Sequence, residues 1–312
     1  MTATQPVEPR TRGADFDSSE RTLISPLEMR SRRARLVYWL VFAALLLTSL
    51  SCIFPLYWMY TGGLKTSTDL LKFPPDLVPD PPRWQNYERS WSELDFPKYT
   101  GNTIVLIIGA WLLQMLISVT AAYSLSKLKP AFGKVIMFLF LSTLMVPAMA
   151  YLIPQYLTVV RVPILNISLL DSWWGVWLPQ AANAFNIFVL KSFFDEIPTD
   201  LTDAAKIDGA GPLQILWHLI FPLSRPVLAV ITIFTVIGTW KDFFWPYLVL
   251  LGREDLSPIM VALYRLTTTH TFPQPINVVM AGLAIASTPP MLLFFIFQKQ
   301  IIRGITLTGL KG

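Results

Sequence analysis

Six apolar runs, at roughly 36–58, 103–125, 134–156, 173–194, 226–250 and 277–298, are each long enough to cross a membrane. A helix of about 20 apolar residues spans a hydrocarbon layer of about 30 Å. With 53% hydrophobic residues against 14% charged, the 312-residue chain has too little polar surface to coat a soluble globule. Backbone groups in lipid must be satisfied within the spanning segment, so the expected class is an all-α membrane protein with six transmembrane helices. The first run is too long for a signal peptide and follows thirty-odd polar residues, so it reads as a retained helix. The expected organisation is a disordered polar tail over 1–35, a six-helix membrane domain over 36–302 and a short tail over 303–312.

The net charge of +5 could suggest a nucleic-acid partner, but the basic residues sit at the ends of apolar runs instead of forming one patch. Lys and Arg accumulate on the cytoplasmic side of membrane proteins. Seven arginines precede the first run or open it, and Lys127, Lys129, Lys134, Lys191, Lys206, Arg225, Lys299, Arg303 and Lys311 share their side of the membrane. Both termini and the segment between the fourth and fifth runs are therefore expected in the cytoplasm.

Between those two runs lies the polar stretch DLTDAAKIDGAGPLQILWHLIFP, Asp200 to Pro222. Leu201, Ala204, Ala205 and Asp208 follow helical spacing, giving one face a leucine and two methyl groups that another backbone can approach closely. Pro198 and Thr199 suit a helix start, and Gly209 with Gly211 suits its end. An interfacial helix resting on headgroups would call for bulkier apolar residues and more flanking cations, so a protein partner fits better.

Asp203-Ala204-Ala205, then Gly209, then Pro222 resembles the cytoplasmic coupling loop of ABC importer permeases, the segment that in that family docks into a groove on the ATPase subunit. Asp203 stands for the usual Glu, Leu219 for Ile and Phe221 for Leu. NYERSW, FPKYTGNT, AAYSLSKL, IPQY, FVLKSFFDEIPTDL, WKDFFWP and the terminal RGITLTGLKG resemble the sugar-importer branch of the maltose-transporter type, from Leu36 to Gly312. The resemblance implies a multi-pass subunit of a prokaryotic plasma (inner) membrane. It implies a second permease, two ATPase subunits that hold the ATP and Mg, and an extracytoplasmic solute-binding protein. It places Leu201, Asp203, Ala204, Ala205, Asp208, Gly209, Ala210 and Pro222 in the docking loop, and Arg303, Gly304 and Lys311 in a tail that reaches between the ATPase subunits. In maltose-type systems the companion permease forms most of the sugar site, so the resemblance puts no sugar site on this chain.

Missing chemistry agrees with a transport subunit. No G-x-x-x-x-G-K-[ST] phosphate loop occurs; Gly133-Lys134-Val135 lacks the upstream glycine and the hydroxyl. His218 and His270 have no Cys or carboxylate cluster beside them, so no metal site is expected. Cys52 is the one cysteine, so no intrachain disulfide forms. The rival classes are a secondary transporter, which would work alone on an ion gradient, and a membrane-embedded glycosyltransferase. The first would often show a half-to-half repeat with paired broken helices, and the only D-x-D for the second is Asp15-Phe16-Asp17 in the tail.

Within the runs, Lys241 and Asp242 stand out, because charge at membrane depth costs about 2.5–3.5 kcal/mol on insertion scales and usually faces a bundle interior or a water-filled path. The family usually places Asn where Lys241 stands; snorkelling toward the outer interface is an equal alternative for this lysine. Pro147, Pro154, Pro179, Pro289 and Pro290 are expected to interrupt helices, and Asn183 and Asn186 lie in the fourth run, which suits a gating bundle. Asn183, Asn186, Lys241 and Asp242 are the candidate translocation path. Finally, the proline- and aromatic-rich segment 61–102 is expected to form a stiff, extended outer lid that a binding protein touches, or an interfacial aromatic belt.

Overall fold

Apolar runs bounded by Pro, Asn and Gly determine where the helices stop, and not every run yields one helix. The computed structural model describes residues 32–268 and 275–309, the last nine by backbone alone. The regular structure among these residues is entirely helical. Two units are distinguished, Met1–Leu56 and Tyr57–Gly312. In the first, the opening part of α1 (Arg32–Gly62) carries Leu36, Trp39 and Leu47 more than half exposed, as befits a helix surrounded by lipid.

The second unit is organised around α4 (Phe96–Tyr123), which continues through a π-helical turn at Ser124–Leu128. Against α4 pack α7 (Trp173–Ala181), α8 (Ala184–Glu196) and α12 (Arg225–Lys241). Before α4 come α2 (Ser67–Leu71) and α3 (Gln85–Glu93); between α4 and α7 lie α5 (Gly133–Met145) and α6 (Ala148–Val160). After α8 come α9 (Thr199–Ile207), α10 (Pro212–Ile215), a second π-helical turn at Leu216–Ile220 and α11 (Phe221–Leu223). The chain closes with α13 (Phe244–Val249), α14 (Ile259–Thr268) and α15 (Ile276–Gly309). One buried cluster gathers Val119, Ala122 and Tyr123 of α4 with Leu190, Phe194, Ile197, Ile215, Leu216 and Ile220, so the core extends beneath the 199–222 loop.

Three of the six apolar runs are broken. Among the described residues, three helices are long and apolar enough to span singly, Arg32–Gly62, Phe96–Leu128 and Ile276–Gln300, and two bent pairs raise the number to five. The run at 134–156 divides into α5 and α6, which meet at 110°. Val146, with ψ 125°, is forced out of the helical region because it precedes Pro147. The run at 173–194 divides at Ala182–Asn183, where the Asn183 side chain accepts from the Asn186 N–H and starts α8. The run at 226–250 divides at Asp242, whose extended ψ of 117° ends α12. Of the five prolines expected to interrupt helices, only Pro147 sits at a break. Pro154, Pro179, Pro289 and Pro290 lie inside α6, α7 and α15.

Segment 61–102 is likewise not the extended lid expected, because α2 and α3 fold it back onto α15. The Asn86 amide donates to the carbonyls of Gly63 and Lys65, both at 2.9 Å, and Ser67 Oγ donates to Asn277 Oδ1 at 2.7 Å. The Lys65 ammonium donates to the Asp76 carbonyl at 2.6 Å and lies 4.0 Å from the centre of the Trp58 ring. Burial lowers its pKa, opposed by Asp76 and Asp69. Burial, followed by Tyr60, pushes the Tyr87 phenol up to about 12, and its hydroxyl donates to the Tyr60 carbonyl at 2.8 Å. Trp84 and Trp91 remain largely exposed on this segment.

Candidate functional site

The 199–222 loop is a helix, a reversal and a second helix, each joint fixed by local hydrogen bonding. Lys206 and Ala205 supply the carbonyls that close α9: Gly209 N–H reaches Lys206 O at 3.0 Å and Ala210 N–H reaches Ala205 O at 2.9 Å. That pairing is a Schellman termination, which requires a left-handed residue. Gly209 supplies it at φ +84°. Pro212 opens the next helix, and the Gln214 side chain accepts from the Gly211 N–H at 2.8 Å. A further bend of 80° at Ser224 feeds the chain into α12.

The loop has distinct inner and outer faces. Thr202 is buried, and Ala205, Ala210 and Leu219 pack onto the cluster built from α4 and α8. Leu201, Asp203, Ala204 and Asp208 are exposed, and Asp203 pairs with Lys206 at 2.8 Å. On the small-residue face expected from the sequence, Ala204 is exposed, and Ala205 both packs against the core cluster and borders an open cleft beside Asp208 and Gly209. The outer face carries three apolar side chains that the sequence pattern did not single out: Ile207 is 87% exposed, Leu213 69% and Trp217 51%. A cleft of about 460 Å³ runs between the two limbs, lined by Asp208, Gly209, Gln214 and His218 among others. Pro222 lies in α11.

A second region joins the helix breaks. The Gln180 amide, two residues before the α7–α8 break, donates to Asp242 Oδ2 at 3.1 Å. Asp242 thus pairs across the bundle with Gln180, while Lys241 and Asn183 are exposed. Asn186 is placed apart from them. It is buried, and its amide donates to Gln114 Oε1 at 3.1 Å, an oxygen that also accepts from Thr235 Oγ1 at 3.0 Å. This node ties α4, α8 and α12 together at one atom. Gln114 and Gln180 were legible only as lone amides inside apolar runs. Arg303 and Gly304 continue the α15 backbone; Lys311, His270, Asp15 and Asp17 lie outside the described residues. Among the described residues no cluster of three His, Cys, Asp or Glu forms a metal site.

Comparison with known proteins matches residues 114–307, well over half of the chain, to the family described as binding-protein-dependent transport system inner membrane component. The chain belongs to that family. This permease is 27% identical to the sn-glycerol-3-phosphate transport system permease protein UgpE of Yersinia pestis, over 84% of this chain and 93% of that protein. It is also 27% identical to the lactose transport system permease protein LacG of Rhizobium radiobacter, covering 89% and 98% of the two chains. The diacetylchitobiose uptake system permease protein NgcG of Streptomyces coelicolor is 27% identical over 85% and 86%. A solved structure of a bacterial ABC transporter involved in the import of the acidic polysaccharide alginate superposes with a TM-score of 0.76 at 25% identity, over 86% of this chain and 98% of that one. The fold is that of an ABC importer permease, and the chain is a multi-pass transport subunit.

Proposed function

We propose that this permease imports a sugar or sugar derivative together with a second permease, two ATPase subunits that bind the ATP and magnesium, and an extracytoplasmic solute-binding protein. The names of its relatives, which handle glycerol phosphate, diacetylchitobiose and lactose, support that substrate class. In this reading the chain itself holds no cofactor. Both termini and the 199–222 loop face the cytoplasm, in keeping with the distribution of Lys and Arg.

The observation that carries the reading is the outer face of the loop: Ile207, Leu213 and Trp217 stand exposed on a rigid turn whose inner face is already packed. Apolar side chains so displayed on a built scaffold fit a protein groove. Leu201, Asp203, Ala204, Ala205, Asp208, Gly209 and Ala210 belong to that docking surface in this reading, and Pro222 follows it in α11. By the family resemblance, Arg303, Gly304 and Lys311 belong to a tail assigned to the ATPase pair in this reading. The path for the sugar runs past the paired helix breaks, where Asn183 and Lys241 are exposed and Asp242 is held by Gln180.

The test replaces Gly209. A Cβ there meets nothing within 4 Å, so a substitution acts through the backbone and not through a clash. Holding a residue with a side chain in the left-handed region costs about 1–2 kcal/mol, and more when it is β-branched. In the assembled complex, Gly209→Val is expected to abolish uptake while leaving the permease in the membrane. Ordinary uptake by that variant contradicts the reading.

A further inference from the structure

The turn that ends α4 is tied to the entrance of the 199–222 loop by two polar contacts, one of them braced by an ion pair within α8. Ser126 Oγ donates to Asp195 Oδ1 at 2.7 Å, and Lys191 holds the other carboxylate oxygen at 2.6 Å. The Lys127 ammonium donates to the Ile197 carbonyl at 2.7 Å. Ile197 caps α8, and only Ile197 and Pro198, both extended at ψ 123° and 134°, separate α8 from α9. Lys127 thus holds the first carbonyl beyond the end of α8, and proline removes the freedom of the linker that follows.

The turn that supplies both residues is itself irregular. Ser124–Leu128 is π-helical and ends at Lys129 in the left-handed region, φ 48°. An inserted residue of this kind is costly to keep and is common where a helix must present particular side chains. Here it places Ser126, only 2% exposed, and Lys127 side by side toward the α8 terminus. Farther along the same helix, Gln114 holds α8 and α12 through Asn186 and Thr235.

We propose that Ser126 and Lys127 are positioning residues that fasten the Ile197–Pro198 linker to α4, so that α4 and α9 move as one body when an ATPase subunit displaces the loop. This rests on the docking reading above and adds the route by which displacement reaches the membrane.

The experiment uses the full complex with ATP and vanadate, and needs no knowledge of the sugar. Nitroxide labels replace Leu112 on α4 and Asp200 on α9, both exposed and neither assigned to the docking surface, on a Cys52→Ser background, and their separation is measured by pulsed electron paramagnetic resonance with and without vanadate-trapped nucleotide. The wild-type complex is expected to give the same distance in both states. Lys127→Met and Ser126→Ala are expected to give a distribution that broadens or shifts on trapping, and Lys127→Arg to restore the constant distance. A merely structural role would lower the amount of assembled complex without making the distance depend on nucleotide. The proposal is overturned if the wild-type distance itself changes on trapping, or if both variants keep it constant. Cross-linking from Leu213 to the ATPase in the same samples separates the two ideas. A cross-link with constant distances in the variants removes the clamp alone, whereas no cross-link in the wild type removes the docking reading and the clamp with it.

Discussion

Gln180 and Asp242 meet at 3.1 Å across the bundle, and their bond joins two places where an apolar run passes from one helix to the next. The first break follows Gln180 by two residues and the second begins at Asp242. Helix breaks at membrane depth are tolerated where protein or a water-filled cavity satisfies the freed backbone groups. The bond therefore fixes one break against the other.

Replacing Gln180 with Glu puts a second carboxylate against Asp242. Like charges at this separation cannot both stay ionised without a large penalty. Uptake at matched membrane levels is expected to fall by at least about tenfold, equivalent to about 1.4 kcal/mol. Gln180→Ala, which deletes the donor without adding charge, is expected to be milder. The two variants are compared by initial uptake rate.

At the three-helix node, one oxygen of Gln114 serves both Asn186 and Thr235. Gln114→Leu leaves two buried donors unsatisfied, at about 1–3 kcal/mol each before relaxation. Hydrogen bonds between membrane helices average about 0.6 kcal/mol, reaching about 1.7, so each pairwise coupling should lie in that range. Denaturant midpoints for Gln114→Leu, Asn186→Leu and the double variant yield the coupling, and the triple variant with Thr235→Val is expected to regain stability relative to Gln114→Leu alone.

Two glycines make opposite predictions. A Cβ at Gly109 would run into the Trp177 ring, which cannot retreat freely because its Nε1 donates to the Leu106 carbonyl at 3.0 Å. A Cβ at Gly238 meets nothing within 4 Å. Gly109→Ala is expected to destabilise the subunit by about 1–3 kcal/mol, the usual cost of overpacking. Gly238→Ala is expected to leave its thermal midpoint unchanged or slightly raised.

Labelling with an impermeant thiol reagent tests the orientation. On a Cys52→Ser background, cysteines at Lys129 and Gln214 are expected to stay unlabelled in intact cells and to react after lysis, while one at Asp80 reacts in both. Labelling at Gln214 from outside contradicts the cytoplasmic placement of the loop.

The loop was the most legible part of the sequence because its signals are local. Pro198 before α9, Gly209 at its end and Pro212 after the reversal each act through one residue's own backbone, and the structure places them as their chemistry requires. The breaks were less legible. Pro147 bends its run by 110°, yet Pro154 and Pro179 sit within helices, so a proline alone does not say whether a helix gives way. At the other two breaks, a side chain captures the chain end or its partner: Asn183 caps α8, and Asp242 reaches Gln180 from 62 residues away. Tertiary contacts of that kind leave no periodic trace. The same holds for Ala205, whose spacing fits the docking face and which also packs against the core cluster.

The central claim is that the 199–222 loop meets an ATPase subunit, and Ile207, 87% exposed at the end of α9, is the residue from which to measure it. A photoreactive amino acid at Ile207 in the assembled complex, irradiated in native membranes, is predicted to give one adduct at the combined mass of this permease and the ATPase subunit. Adducts formed only with lipid or with the companion permease, in complexes that still hydrolyse ATP and transport, would contradict the account.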